Sequence, residues 1–384
     1  MEMKQIYDIV NAATREAIGD SAILSENLEN VVDVGTEIMN ARSVDKYVKA
    51  LVDHIGRVIF VNRPYSADAP SVLRDSWEYG ATLQKIASEM PAAVENESWN
   101  LMDGASYDPN IFTQPEVSAK FFNKKTTFEI DRSITDMQAR SGFSGAGQMS
   151  AFIEMLFNEV DKSASVKTSE IIRRTINNFT AETFYDYNSG GTYTGAGNTR
   201  CVNLLSRYNA QYSKSLTAGA ALYDPDFIRY AAYTMGVTKT RLRSMSKLFN
   251  MGGKARFTPE NVLHFVLLSD FKAAADVFLQ SGTFHNNFVA LPESETVPYW
   301  QGSGTGYAFD DISAVKVTTA DGHSVTASGI LGVMFDHDAL GVCNTERRVT
   351  TNYNAKAEFT NYFYKFDESY FNDFNENFVV FYVA

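Results

Sequence analysis

The sequence predicts an α+β chain organised around one long helix. Three observations carry that reading. An apolar stripe with helical spacing runs from 149 to 179, and two extended segments lie near 75–90 and 117–131. The chain then ends in EFTNYFYKFDESYFNDFNENFVVFYVA, whose rings first alternate and then run together as strands do.

Taken in order, residues 4 to 18 place Ile6, Ile9, Val10, Ala13 and Ile18 on one face of a short amphipathic helix. In SVDKYVKALVDHIGRVIF, Ser43 can cap a second helix whose stripe is Val44, Tyr47, Val48, Leu51, Ile55 and Val58. Pro64 and Pro70 then punctuate a loop. In AKFFNKKTTFEIDRSI, Thr126, Phe128 and Ile130 share one strand face and Thr127, Glu129 and Asp131 the other. An irregular stretch separates the two extended segments. A lone two-stranded ribbon of that length is marginal in water, so it needs another surface to lie on.

The long helix would span roughly 45 Å at the usual rise per residue. That exceeds an average globular helix, and KSAS at 162–165 is its weak point, the place for a bend. After it, YNSGGTYTGAGNTR (187–200) reads as a flexible loop and a domain boundary. PDFIRYAAYTMG and PENVLHFVLLSDFKAAADVFLQS contain helical pieces, and ISAVKVTTADGHSVTASGILGVMF reads as strands about a turn at Asp321 and Gly322. Tyr362, Tyr364 and Phe366 share a strand face, and FVVFYV (378–383) suits a strand covered on both sides. Rings this dense at a chain end, where chains usually fray, imply clamping into a core or between subunits.

Composition narrows the function. The chain has 384 residues, 45% apolar and 21% charged, which are globular values. A net charge of −12 argues against a surface built for phosphate backbones, although it leaves room for a local basic patch. Cys201 and Cys343 are too few and too far apart for a disulfide framework or a four-ligand zinc site, and suit small buried hydrophobes of a reducing compartment. The N-terminus lacks the apolar core of a signal peptide, and no window approaches 18 uninterrupted apolar residues. A protein kept in a cytoplasm is expected.

Candidate chemistry is thin. Gly142-Phe143-Ser144-Gly145-Ala146 falls one residue short of a nucleophile elbow, and Gly145-Ala146-Gly147 lacks the third glycine of a dinucleotide turn. A helix entry explains both, and a serine hydrolase at Ser144 is the enzyme reading set against it. Gly195 and Gly197 are not followed by Gly-Lys-Ser/Thr, so they do not form a phosphate loop. On a strand, Asp336 and Asp338 would face away from His337 and could not converge with it on one ion, and nothing brings Asp310-Asp311 near. His54, His264, His285, His323 and His337 show no ligand spacing. No catalytic residue, cofactor or metal is expected. Lys120, Lys124 and Lys125, interleaved with Phe121 and Phe122, suit an arm lying on an acidic neighbour, with charge to steer and rings to anchor.

Four stretches carry a resemblance: ENLENVVDVGTEIMNARSVDKYVKALVDHIG, LLSDFKAAADVFLQSGTFHNNFVALPESETVPYWQG, ASGILGVMFDHDALG and NYFYKFDESYFNDFNENFVVFYVA. With the order of elements, they make the chain resemble the major capsid proteins of tailed bacteriophages, which have the Hong Kong 97-type fold. The resemblance implies an N-terminal arm with helices (1–60) and an extended β-hairpin loop (61–131). It also implies a peripheral domain (132–199 and 346–384) with spine helix 149–179, and an axial domain (200–345). The inter-subunit contact candidates are Trp77, Lys85, Lys120, Phe121, Phe122, Lys124, Lys125, Phe378 and Tyr382.

By the same resemblance, the partners are other copies in hexamers and pentamers, portal and scaffold proteins, a decoration protein, and packaged DNA held without sequence-specific binding. The location implied is the virion capsid, assembled in the host bacterial cytoplasm, with no membrane. Some relatives cross-link a lysine to an asparagine. Neither the arm lysines nor Asn352 and Asn354 match such a motif, so that chemistry is not carried over. Because the N-terminal arm begins almost at Met1, a separate scaffold protein is expected. An encapsulin-type compartment enclosing a cargo enzyme is the nearest alternative. A tail protein or adhesin fits the long helix badly.

Overall fold

The structure, a computed structural model, describes residues 3–19, 29–40, 46–51, 69–74, 83–88, 91–281 and 291–384, less positions 92, 94, 111, 113, 115, 116, 143, 303–305 and 320. Ser43, Val44, His54, Ile55, Val58, Pro64, Trp77 and His285 lie outside the described residues. The strands in chain order are β1 (Leu73–Arg74), β2 (Leu83–Ser88), β3 (Val117–Phe122) and β4 (Lys125–Thr135). They continue as β5 (Cys201–Asn203), β6 (Leu263–Leu268), β7 (Glu295–Val297), β8 (Val315–Thr318) and β9 (Ser324–Ala327). The last four are β10 (Ile330–Asp336), β11 (Leu340–Asn354), β12 (Phe359–Asn372) and β13 (Phe378–Tyr382).

Contacts divide the chain into two units. The first holds Met1–Glu78, Lys125–Ile172 and Val342–Ser369. Its helix Met3–Ile18 buries Ile6, Ile9, Val10 and Ala13 of the expected stripe, and Ile18 at its end is half-buried. Tyr47, Val48 and Leu51 of the second predicted helix are helical and buried, and the Tyr47 hydroxyl donates to Met149 Sδ at 3.9 Å. A four-stranded sheet of order β1-β11-β12-β4 completes the unit.

In that sheet β4 alternates as its sequence predicts, with Phe128 and Ile134 buried and Thr127, Glu129 and Asp131 exposed. Its partner is β12, antiparallel from Phe359↔Thr135 to Ser369↔Lys125. The extended segment read as 117–131 is therefore two strands, broken at Asn123 and Lys124. Cross-strand packing explains the break: Phe128 stacks on Phe366 at 4.8 Å, and Lys365 meets Glu129 at 3.1 Å. Asp367 accepts from Thr127 at 2.5 Å and from Arg348 at 2.6 Å. Burial pushes its carboxyl up, but these donors more than reverse that and hold it below the ordinary range.

The long helix runs from Ala146 to Tyr187, 42 residues, beyond the expected 149–179 at both ends. Its stripe continues past Phe179 through Thr183 and Phe184, which are also buried, so the apolar signal that sustains a helix lasts a further two turns. KSAS stays helical without interruption.

The second unit holds Tyr79–Lys124, Arg173–Gly341 and Tyr370–Ala384. Its five-stranded sheet has the order β5-β13-β10-β6-β7, with β10 antiparallel to both neighbours and β5–β13 and β6–β7 parallel. LHFVLL, within a segment expected to hold helical pieces, is strand β6. It is a continuous apolar run with its last four residues buried, and the helix begins only at Ser269. β8 and β9 form the predicted hairpin, with Gly322 in its turn at φ +83.

β13 is buried at all five positions, as the run FVVFYV predicts. Within this unit Phe378 stacks on Phe179 at 4.0 Å, Phe374 meets Phe179 edge-on at 4.9 Å, and Tyr382 meets Phe184 at 5.0 Å. Asn203 exchanges side-chain hydrogen bonds with the backbone of Ala384, donating to its carbonyl at 2.9 Å and accepting from its N–H at 3.3 Å. The final rings are thus clamped in the core. Gly329 (φ +75) is needed beside them, because a Cβ there would come within 1.9 Å of the Val383 carbonyl oxygen.

Candidate functional site

The sequence singled out a lysine- and ring-bearing arm, and the structure builds it as the antiparallel pair β2–β3, in register from Leu83↔Phe122 to Ser88↔Val117. Side chains alternate between its faces. One face carries Leu83, Lys85, Lys120 and Phe122, and the other carries Ile86, Val117 and Phe121.

Lys85 sits directly opposite Lys120. Like charges in that position destabilise a strand pair unless something lies between them. Here it is Asp373, whose side chain is almost wholly buried. Its Oδ2 is 3.0 Å from Lys85 Nζ and its Oδ1 is 2.8 Å from Lys120 Nζ. Lys85 also donates to Glu376 Oε1 at 2.7 Å, and Arg256 Nε approaches the same oxygen at 3.4 Å. Phe122 packs against Phe371 at 5.4 Å.

The electrostatics follow from this geometry. Burial pushes the Asp373 carboxyl up, but Lys120 and Lys85 outweigh it and hold the group below the ordinary carboxylate range. Burial lowers Lys85, and its bonds to Glu376 and Asp373 reverse that, leaving it above the usual lysine value. The arm base is therefore fixed by an ion-pair cluster inside its own unit. The lysines looked like steering charges for an acidic neighbour, and the acids nearest Lys85 and Lys120 belong to this chain. Asp373 and Glu376 gave little signal in sequence, because NDFNEN reads as a polar turn between ring-rich strands.

The other face is bare. Ile86 is 65% exposed and Phe121 64%. The stretch joining the two strands adds Trp99 at 94% and Phe112 at 83%, with Leu101 and Met102 also exposed. Beside the base, a cavity of about 230 Å³ is lined by Phe121, Phe122, Lys124, Phe371, Glu182 and Asp321, among others. Lys125 begins β4 in the other unit. Phe378 and Tyr382, the remaining contact candidates, are in the core.

Ser144 is an exposed turn residue whose hydroxyl donates to the Ser141 carbonyl at 2.7 Å. Asp336 Oδ1 accepts from the Asp338 N–H at 2.9 Å and shapes the turn from β10 to β11. His337 meets His264 at 3.0 Å, while His323 lies 3.2 Å from Glu182 and stacks on Tyr185. No group of three or more metal-ligating side chains converges among the described residues, and no described helix is long and apolar enough to cross a membrane. Both cysteines are buried, and burial pushes the Cys201 thiol far above its ordinary value. The loop after the long helix is more tightly tied than its glycines suggest: Asn198 accepts from the N–H groups of Arg200 and Cys201, and Arg207 donates to the carbonyls of Ala196 and Asn198.

Known proteins supply the frame for this arm. The description "Phi29-like phage major capsid protein" matches residues 10–382. The major capsid protein of Bacillus phage B103 is 22% identical over 367 residues, covering 93% of this chain and 68% of that protein. The major capsid protein of Bacillus phage GA-1 is 20% identical over 184 residues, covering 47% of this chain and 38% of that one. A chain from the capsid structure of Staphylococcus phage Andhra superposes with a TM-score of 0.50 at 9% identity, over 83% of this chain and 85% of that one, a likeness of fold alone. The fold is the expected Hong Kong 97-type capsid fold, and these matches are to phage proteins. Matched over nearly its whole length, the chain belongs to the Phi29-like phage major capsid protein family, the shell-forming proteins of the virion.

Proposed function

We propose that the chain assembles into pentamers and hexamers of an icosahedral shell enclosing the double-stranded DNA of a tailed phage, and that the arm is one of its inter-subunit surfaces. The observation that carries this is the bare face of the β2–β3 pair together with the rings beyond it. Ile86, Trp99, Phe112 and Phe121 stand in water, and Trp99 and Phe112 are the most exposed large apolar side chains among the described residues. Large exposed apolar side chains gathered in one segment of the chain point to an interaction site, and in a shell the neighbour is another copy. Head-to-tail contacts that close into rings need two different patches per subunit, and an anchored arm supplies one of them. Each interface is then of obligate size, about 2,000 Å² or more.

In this reading the segment 61–131 is the extended loop, with Trp77, Phe121, Lys124 and Lys125 among its contacts. Residues 132–199 and 346–384 form the peripheral domain, and 200–345 the axial domain. Lys85, Lys120 and Phe122 hold the arm in position. Portal and scaffold proteins, and a decoration protein, are the further partners, and assembly takes place in the host cytoplasm. The role is structural, without catalysis. Electron microscopy of the purified full-length chain, alone and co-expressed with its genomic neighbours, tests the reading. Closed polyhedral shells or ring-shaped capsomers are expected, and a persistent monomer in both preparations would overturn it.

A further inference from the structure

The charge of the chain is not evenly spread. Between Phe227 and Pro259, 33 residues hold seven lysines and arginines and no aspartate or glutamate, leaving 27 cations against 46 acids in the rest. The whole stretch lies in the second unit. It begins on the helix Pro225–Leu242, capped by Asp224, whose side chain accepts from the Phe227 N–H at 2.8 Å. It continues into a loop that folds back on itself. Ser246 and Arg256 exchange backbone hydrogen bonds at 2.9 and 3.0 Å, and the Thr258 N–H donates to the Leu242 carbonyl at 2.8 Å. The Asn250 side chain brackets Lys254 from both sides, donating to its carbonyl and accepting from its N–H. Arg229, Lys239 and Arg241 are thus presented by the helix, and Lys247, Lys254 and Arg256 by a closed, bonded loop.

Acids at its margins take up part of the charge. Glu260 pairs with Lys239 at 2.6 Å and lies 3.5 Å from Arg243. Asp226 pairs with Arg229 at 3.1 Å, and Glu376 lies near Arg256. Arg241 and Lys247 are exposed and have no ion-pair partner among the described residues. Part of this pattern has a local cause, since cations in the last turn of a helix offset its macrodipole. That accounts for Lys239 and Arg241. It does not account for Lys247, five residues beyond the helix end, because the dipole's influence falls off within the last turn.

We propose that this acid-free stretch, with Arg241 and Lys247 as its open cations, binds the phosphate backbone of nucleic acid and touches the packaged genome without reading its sequence. The inference rests on the reading that the shell encloses double-stranded DNA. A phosphate backbone is favoured over an acidic protein because the acids beside this stretch, Asp226, Glu260 and Glu376, pair with Arg229, Lys239, Arg243 and Arg256, and among the described residues none sits at Arg241 or Lys247 to set a pairing register there. A uniform polyanion accepts any such arrangement, whereas a protein partner needs matched pairs. The strongly acidic remainder keeps the grip weak, as a genome that must leave again requires.

The test compares the full-length chain with Arg241→Glu/Lys247→Glu, and with Arg241→Gln/Lys247→Gln in case charge reversal disturbs folding, each checked by thermal melting. Binding of a duplex of about 30 base pairs of random sequence is measured by fluorescence anisotropy over a salt series. The glutamate pair is expected to weaken binding about tenfold or more at low salt, and removing two phosphate contacts should flatten the log–log salt slope by about 1.8. A folded variant that binds as the wild type does, or a wild type that does not bind, overturns the inference. Loss of polyglutamate binding with DNA binding intact overturns it in favour of an acidic protein. Nuclease-protected DNA in wild-type shells is assayed separately. Its absence defeats the enclosure reading, whereas protected DNA with unaltered variant binding defeats only the basic surface.

Discussion

Two segments of this chain use their rings in opposite ways. From Phe359 to Tyr382 the rings are mostly buried, and Tyr362, Tyr364, Phe378 and Tyr382 are sealed almost completely. From Ile86 to Phe121, Trp99, Phe112 and Phe121 face water. The first holds eleven rings in 24 residues and the second four in 36, but ring number does not by itself decide exposure. What does is that β12 lies between two strands and β13 between two others, while among the described strands β2 and β3 pair only with each other. A ring on a strand with neighbours on both sides and a helix above it contributes to the stability of its own chain. A ring on a lone strand pair has no such cover, and its contribution waits for a second chain.

The sharpest way to break that contrast is Phe378→Ala. Phe378 is 1% exposed, stacks on Phe179 at 4.0 Å and lies beside Phe335. Truncation loses the transfer free energy and leaves a cavity under the long helix, for an expected loss of about 3–5 kcal/mol. Chemical denaturation of the unassembled chain measures it. A loss below about 1 kcal/mol would mean that this end of the core collapses freely around the gap.

Asp373→Asn comes next. It leaves Lys85 and Lys120 face to face with no full charge between them. Breaking a buried pair costs about 3–5 kcal/mol, and because both lysines keep some contact with water the expected loss is nearer 2 kcal/mol. The pH profile gives an independent reading. Asp373 has a depressed folded-state pKa, so its stabilisation is present above the unfolded carboxylate value of about 3.9 and fades as pH falls through the lower folded value. Lys85 is raised, so its stabilisation is complete below about pH 10.4 and fades as pH rises through the higher folded value. Melting temperatures of wild type and Asp373→Asn should therefore differ most from pH 5 to 9 and converge below about pH 4. A gap that persists in acid would assign the effect to shape rather than charge.

These two positions also mark what the sequence discloses and what it withholds. Phe378 was legible because six consecutive apolar residues have few other ways to fold, and the alternation at Tyr362, Tyr364 and Phe366 is as local a signal. The helix stripe was equally plain, although its ends were not. The GAG entry is poor in helix formers, and the rings of FTAETFYDY do not announce a helix. Pairing was withheld. Nothing near Lys125–Thr135 says that its partner is Phe359–Asn372, more than 200 residues away, and that partnership is what cuts the expected arm in two. At the site the lysines and rings were visible. Their division between an anchored and a bare face needed the register that sets Lys85 against Lys120, and Asp373 looked like an ordinary loop acid until that register was known. The basic stretch after Phe227 was hidden for a simpler reason, since a net charge of −12 averages it away.

The smallest expected effect on the folded chain is the most informative about the arm. Ile86 and Phe121 are on its bare face, outside the ion-pair cluster. Replacing both with serine removes apolar surface that is already in water, so the stability of the isolated chain should change by no more than about 0.5 kcal/mol. Assembly should respond differently. Rings desolvated at the centre of an interface commonly contribute about 2 kcal/mol or more each, and in a shell the same contact recurs at every subunit. The double variant should therefore melt like the wild type as a free chain, yet need a several-fold higher concentration to form shells, measured by light scattering with particles counted by electron microscopy. Shell formation at the wild-type threshold would show that these rings stay solvated in the particle. The contrast with Phe378 would then reduce to buried against idle, and the contact would have to be sought elsewhere, first at Trp99 and Phe112.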